Sequence, residues 1–185
     1  MREENDMYYL RELERKDIMT INKWRNDSSL VRFLGAPYRY INNEVDENWF
    51  NSYMSNRKNA IRCAIMSDTS DILIGMVSLI DIDYINRSAK FSIQLGDETN
   101  RGKGIGTFAT MAMLKHAFEN MNLYRIQLEV LASNIRAQHL YEKCGFVKEG
   151  CLRNSAYKNG KYEDMFVYSI LHEEYIKAKS HSQIL

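Results

Sequence analysis

Short runs in which apolar positions alternate with polar ones divide this chain, and turn-forming residues separate the runs. Met7 to Leu13 reads as a first strand. Lys16 to Asn26 and Ser28 to Leu34 read as short helices, which Gly35-Ala36-Pro37 interrupts. Asn43 to Ser55 reads as a helix bearing Trp49 and Phe50. Ala60 to Met66 and Ile72 to Ile82 read as strands joined by the turn Ser67-Asp68-Thr69-Ser70-Asp71, and Ala89 to Leu95 continues the sheet. Ile105 to Asn122 reads as a broadly apolar helix, Arg125 to Leu131 as a strand and Asn134 to Cys144 as a helix. Phe146 to Arg153 and Asp164 to Leu171 close the strand set, and the polar tail from Lys177 to Leu185 is expected to fray. Strands on either side of a crossover helix predict an α/β (α+β) fold with a mixed sheet and helices on both faces.

Composition narrows the class of protein. The 185 residues are 45% hydrophobic, enough for one sizeable core and too few for two, so residues 1–185 are expected to form a single domain. A formal net charge of +1 gives no global field toward nucleic acid or an anionic membrane. There is no apolar run long enough to span a bilayer, and the start Met1-Arg2-Glu3-Glu4-Asn5-Asp6 is unlike a signal peptide. Cys63, Cys144 and Cys151 are odd in number and lack metal-ligand spacing, so they read as reduced thiols of a cytoplasmic protein. The 4 histidines have no paired spacing either, and no metal is expected.

The candidate chemistry begins at Arg101-Gly102-Lys103-Gly104-Ile105-Gly106, between a strand and a helix. Glycines at alternate positions expose backbone N–H groups where a helix N-terminus supplies positive potential, a cradle suited to a pyrophosphate. Arg101 and Lys103 add donors and charge. A nucleotide-binding loop of the Walker type needs a different glycine spacing and a hydroxyl where Gly104 stands. A dinucleotide fingerprint needs G-x-G-x-x-G after a first strand, and here the order is G-x-G-x-G. Both readings fail on spacing.

A second segment follows about 28 residues on: Asn134-Ile135-Arg136-Ala137-Gln138-His139-Leu140-Tyr141-Glu142-Lys143-Cys144-Gly145-Phe146. With the R-x-x-G-x-G loop before it, this N-x-x-A-x-x-x-Y-x-x-x-G-F helix resembles the GNAT superfamily of N-acetyltransferases. The resemblance runs from about Tyr8 to Tyr175 and is nearest the RimJ/RimL-type branch, whose members acetylate protein N-termini, polyamines and amino sugars. Trp24-Arg25-Asn26-Asp27 looks like that branch's first-helix ending, and Tyr157-Lys158-Asn159-Gly160-Lys161-Tyr162-Glu163-Asp164 like its final hairpin.

The resemblance implies a mostly antiparallel sheet of about seven strands, in which a bulged strand splays from its neighbour to admit acetyl-CoA. Ser92, which breaks the alternation between Phe91 and Ile93, is a hint of that bulge. Acetyl-CoA would be the cosubstrate, its pyrophosphate held by Arg101, Gly102, Lys103, Gly104, Ile105, Gly106 and Thr107 with Arg136. Its pantetheine would lie along Ile93, Gln94 and Leu95 and against Asn134. Tyr141, two helical turns from Asn134 on the same face, would point at the sulfur. A phenol, with a pKa of about 10, can return a proton to a thiolate whose own value is about 8.5. For Asn134 the plainer alternative is a helix N-cap, and for Tyr141 a core position.

An alkylammonium, with a pKa of about 10.4, must lose a proton before it attacks. Asp81, Asp83, Glu129 or a water relay to backbone could take it. Lys90 stands where many relatives carry Glu, so a base at that position is lost. Acceptor specificity is assigned to Ser28–Ser55, with Tyr38, Tyr40, Trp49, Phe50 and Tyr53 for stacking or core packing, and Glu44, Asp46 and Glu47 as a solvated face or an attraction for a polycation. The reading is therefore an acetyl-CoA-dependent N-acetyltransferase acting on a small-molecule or peptide amine. A noncatalytic acyl-CoA sensor on the same fold is the rival. Relatives are often homodimers, though nothing in this chain requires one.

Overall fold

A computed structural model describes residues 8–68, 71–100 and 102–182. Met7, Thr69, Ser70, Arg101 and the last residues Gln183 to Leu185 lie outside the described residues. Four consecutive antiparallel strands come first: β1 (Tyr8–Glu12), β2 (Ala60–Ser67), β3 (Leu73–Asp83) and β4 (Ser88–Leu95). Between β1 and β2 lie α1 (Ile18–Arg25), α2 (Ser28–Val31) and α3 (Asn43–Ser55). Helix α4 (Ile105–Lys115) then crosses to β5 (Arg125–Leu131), and α5 (Ile135–Lys143) leads to the hairpin of β6 (Val147–Lys158) and β7 (Lys161–Leu171). Helix α6 (His172–Ser182) follows. The sheet order is β1-β2-β3-β4-β5-β7-β6, and β4 with β5 is its one parallel pair among the described residues.

The larger core lies between the sheet and the α4 side. Ala109, Met113, Leu114 and Ala117 pack there with Val77, Leu79, Phe91, Ile126 and Leu128. A second core on the opposite face holds Ile18 and Ile21 of α1 with Phe50 and Tyr53 of α3 against Ala64 and Met66. Phe50 and Tyr53 are thus core contacts. The Trp24-to-Asp27 segment has a structural task at each residue. The Trp24 ring packs against Gly96, Arg25 pairs with the fully buried Asp46, Asn26 donates to and accepts from the Ile41 backbone, and Asp27 caps α2 through Ser29 N. Asp46, which Asn22 also bonds at 2.7 Å, is therefore no part of a solvated face.

Several expectations need correction. The irregularity anticipated on β4 lies on β3: Ser92 pairs in register with Ser78, whereas the ladder shifts between Ile80 and Asp83, where Asp81 takes φ 53°. Aspartate enters that left-handed region more readily than most residues. Helix α4 ends at Lys115 and continues to Asn120 as a single π-helical turn. The C-terminal segment is helical to Ser182, because Tyr175 is buried and its hydroxyl donates to Glu119 (2.7 Å), which Lys179 also bonds. Strands β6 and β7 both extend to Asn159-Gly160, whose φ of 49° and 83° suit a tight hairpin turn of the type I′ class.

Glu149 on β6 accepts two bonds from Arg125 (2.8 and 2.5 Å) and one from Ser169 (2.7 Å). The guanidinium, foremost, holds the carboxyl at about 2, below its ordinary 4.5. A depressed carboxyl adds stability above its unfolded pKa that is lost as pH falls through the folded one. Glu149→Gln is expected to flatten the acid-induced loss of stability between pH 4.5 and 2. Solvent screening at this partly exposed site limits the effect to about 1 kcal/mol, measurable as urea midpoints across that window. At the end of β4, a Cβ on Gly96 would fall 1.8 Å from the Trp24 ring. Gly96→Ala should displace the indole and cost about 1–3 kcal/mol, seen as a lowered melting temperature with red-shifted tryptophan fluorescence.

Candidate active site

Strands β4 and β5 run together for only three residue pairs, Ser88 with Arg125, Ala89 with Ile126 and Lys90 with Gln127. Beyond Lys90, β4 stays bonded to β3 as far as Leu95, while β5 stays bonded to β7 as far as Leu131. The two strands therefore diverge, and among the described residues the edge of β4 from Phe91 to Leu95 that faces β5 has no strand partner. At the apex of the V is a cleft of about 210 Å³ lined by Lys90, Phe91, Gln127, Leu128 and Glu129, with Ile80 and Val167. The splay expected from the resemblance is present.

The glycine loop sits at the open end of β4. Gly102 and Gly104 have φ of 80° and 81°, which a residue with a Cβ adopts only under strain. These conformations turn the chain into α4, whose first N–H groups have no partner within the helix. Ile105 anchors that terminus by burial in the core, Thr107 lies half-buried on its first turn and Lys103 is exposed beside it. Gly106 lets α5 approach, since a Cβ there would meet Leu140 at 3.0 Å. Arg136 on α5 brings its guanidinium toward Gly102, with Nη2 3.8 Å from where a Cβ would stand. The loop, Arg136 and the end of β4 (Ile93, Gln94 and Leu95, all half-buried) thus converge; Arg101 is outside the described residues.

Tyr141 is buried on α5, its ring edge-on to Phe91 (centroids 6.2 Å apart) and in contact with Phe146 and Tyr168. Among the described residues its hydroxyl has no hydrogen-bond partner. Burial raises its pKa well above the ordinary 10, so the phenol keeps its proton at every physiological pH. Asn134 shows the N-cap arrangement: its Oδ1 accepts from Ala137 N (3.2 Å), and its Nδ2 donates to Phe33 O (3.1 Å).

The three carboxylates differ in setting. Asp83 bonds the backbone of Ile85 and Asn86 and the Asn86 side chain, which fixes the turn after β3. Asp81 is ion-paired with Lys90 at 3.0 Å. Glu129 lines the cleft. Four buried side-chain polar atoms lack a partner among the described residues, and Arg62 Nε, Ser78 Oγ and Gln94 Nε2 are three of them. Arg62 and Ser78 face each other across β2 and β3, with Gln94 nearby on β4, under the α1–α3 layer. Sequence reasoning missed this polar row and missed Lys158, which is 6% exposed and bonded to the backbone of residues 31 and 36. The i, i+2 alternation on three paired strands could have shown the first; nothing local signals the second. No group of three or more His, Cys, Asp or Glu is placed to hold a metal, and no helix is long and apolar enough to cross a membrane, among the described residues.

Comparison with known proteins agrees with this geometry. Residues 8–147 match the family model described as an acetyltransferase (GNAT) domain. A spermidine N(1)-acetyltransferase of Vibrio cholerae is 36% identical over 173 residues, 93% of this chain and 97% of the other. The ribosomal-protein-serine acetyltransferase of Escherichia coli is 30% identical over 99 residues, 54% of this chain and 55% of the other. The crystal structure of the Vibrio cholerae spermidine N-acetyltransferase with CoA and spermine superposes with a TM-score of 0.86 at 33% identity, covering 93% of this chain and 99% of that one. A diverging parallel strand pair, a glycine loop capping the helix between them and 36% identity to an acetyltransferase across nearly both chains lead to one conclusion: the chain belongs to the GNAT superfamily and is an enzyme that transfers an acetyl group from acetyl-CoA to a primary amine.

Proposed function

We propose that the acceptor is a polyamine of the spermidine class, acetylated by direct attack on the thioester in the cleft between β4 and β5. The full-length similarity to spermidine N(1)-acetyltransferases carries this reading. In it, the pyrophosphate of acetyl-CoA rests on residues 101–107 with Arg136, and the pantetheine takes the place of the missing strand along Ile93, Gln94 and Leu95. One N–H of that segment stabilises the oxyanion formed at the carbonyl carbon. As the C–S bond breaks, the Tyr141 phenol gives its proton to the thiolate. Desolvation keeps the phenol protonated, so a proton is available when negative charge appears on sulfur.

Glu129 is the carboxylate best placed to take the amine's proton, directly or through one water, since Asp81 and Asp83 have structural partners. Lys90 contributes in the opposite sense. Its ammonium lines the same cleft and stays charged because Asp81 bonds it and raises its pKa. Because Asp81 neutralises the pair at longer range, that charge disfavours the protonated form of an arriving amine only on close approach to Lys90. The distal ammonium groups of a polyamine would extend away from Lys90 toward solvent.

Thiol release from acetyl-CoA tests these roles with spermidine, free-N-terminus peptides and nucleotide-linked amino sugars as acceptors. Spermidine is expected to give a kcat/KM at least about tenfold above the other classes, a margin of about 1.4 kcal/mol. Preference for a peptide or a sugar would overturn the polyamine assignment. Tyr141→Phe preserves the ring packing and should lower kcat about 10²-fold with little change in melting temperature, whereas unchanged turnover would remove Tyr141 from the mechanism. Glu129→Gln should lower kcat/KM most at neutral and acidic pH and recover as pH rises toward the amine's own pKa. A uniform loss at all pH values would instead mark Glu129 as a contact for binding.

A further inference from the structure

The segment from Trp24 to Ile41 spans the open mouth of the V. At one end the Trp24 ring packs on Gly96, immediately beyond β4. At the other, Phe33 O accepts from Asn134 at the start of α5, just beyond β5. Gly35 lies against the Met165 side chain, and Met165 pairs with Leu131, the last residue of β5. Residues 28–41 thus form a strap from one arm of the cleft to the other. Its base is tied to α1, because Asn22 and Asn26 both donate to Ile41 O (3.0 and 2.7 Å). Its middle carries Gly35-Ala36-Pro37 and little regular structure after Val31.

One charged side chain reaches that middle from a distant part of the chain. Lys158, at the tip of β6, donates to Val31 O (3.1 Å) and to Ala36 O, closing the strap's bend from both sides. It is 6% exposed, and no carboxylate pairs with it within salt-bridge distance among the described residues. Burial lowers its pKa accordingly. Desolvating an ammonium is expensive; the two carbonyls bond it directly, and the Glu163 charge offsets part of the cost at longer range. The two bonds tie the hairpin tip to the strap and hold the strap's bend in one position.

We propose that Lys158 is a positioning residue for acetyl transfer: it fixes the strap of residues 28–41 over the cleft and thereby sets the acceptor's binding geometry. The inference rests on the reading that the acceptor enters beneath this strap. Lys158→Met keeps the stem and removes the donors. Lys161→Met removes a charge of the same kind from an exposed position directly across the hairpin and serves as the control.

Hydrogen exchange and steady-state kinetics together decide it. In Lys158→Met, exchange should rise in peptides covering 28–41 and stay unchanged in α4. KM for the amine should rise about tenfold or more, the scale of a lost charge-assisted hydrogen bond, with KM for acetyl-CoA within about twofold. Lys161→Met should match the parent in all three readouts. Unchanged exchange in the strap would overturn the clamp. A loosened strap with an unmoved amine KM would overturn the placement of the acceptor beneath it and leave the clamp intact as structure. If Lys158→Met does not accumulate as folded protein, Lys158→Arg, which retains donors at altered reach, should show a smaller rise in strap exchange and amine KM. Loss of both substrates' affinity in parallel with melting temperature would mark Lys158 as merely structural.

Discussion

Everything in this fold that bears on chemistry follows from the short parallel join between β4 and β5. Three residue pairs hold two sub-sheets together, an antiparallel meander β1 to β4 on one side and β5, β7 and β6 on the other. Each diverging strand keeps its outer neighbour, so the V costs no backbone hydrogen bond outside the cleft itself. The unpaired edge of β4 is tolerable because a ligand with amide groups can satisfy it, as β-strand addition does elsewhere. Burial of α4 across both sub-sheets keeps the seam closed at its apex.

Helix termini place the remaining groups. Helix α4 begins beside the end of β4 and α5 beside the end of β5, so both N-termini face the open mouth. Gly106 lets the two helices come close, and that contact carries Arg136 toward the loop and sets Tyr141 behind Phe91. Tyr141 is thus held by aromatic packing rather than by a hydrogen bond, which leaves its hydroxyl uncommitted. Asn134 is the contrary case, committed at both ends of its amide to the cap and to Phe33.

Much of this was legible in the sequence, for identifiable reasons. The limits of α3 and β5 match the residue pattern because Asn42 caps the first and alternation marks the second. The glycine spacing located the loop, since two of its glycines occupy conformations that other residues avoid. What escaped notice depends on partners far away in sequence. The polar tail is helical because Tyr175 packs on Phe118 and, with Lys179, bonds Glu119 of the π-helical turn. The bulge moved to Asp81 because the left-handed conformation there has no local signature beyond an aspartate. Lys158 beside an Asn-Gly turn reads as an exposed lysine, and its carbonyl partners lie more than a hundred residues earlier.

The end of β6 has an evolutionary corollary. Ala156 and Lys158 face inward while Tyr157 faces solvent, as the two-residue period of a strand demands. Within the regularly paired end of β6, where Ala156, Tyr157 and Lys158 stand opposite Glu163, Tyr162 and Lys161, an insertion or deletion of one residue would exchange those faces and turn the ammonium into water. The hairpin can therefore drift freely in sequence at its exposed positions, while changes of length fall in the irregular stretch between Leu152 and Ala156, where β6 already carries residues that no β7 residue opposes.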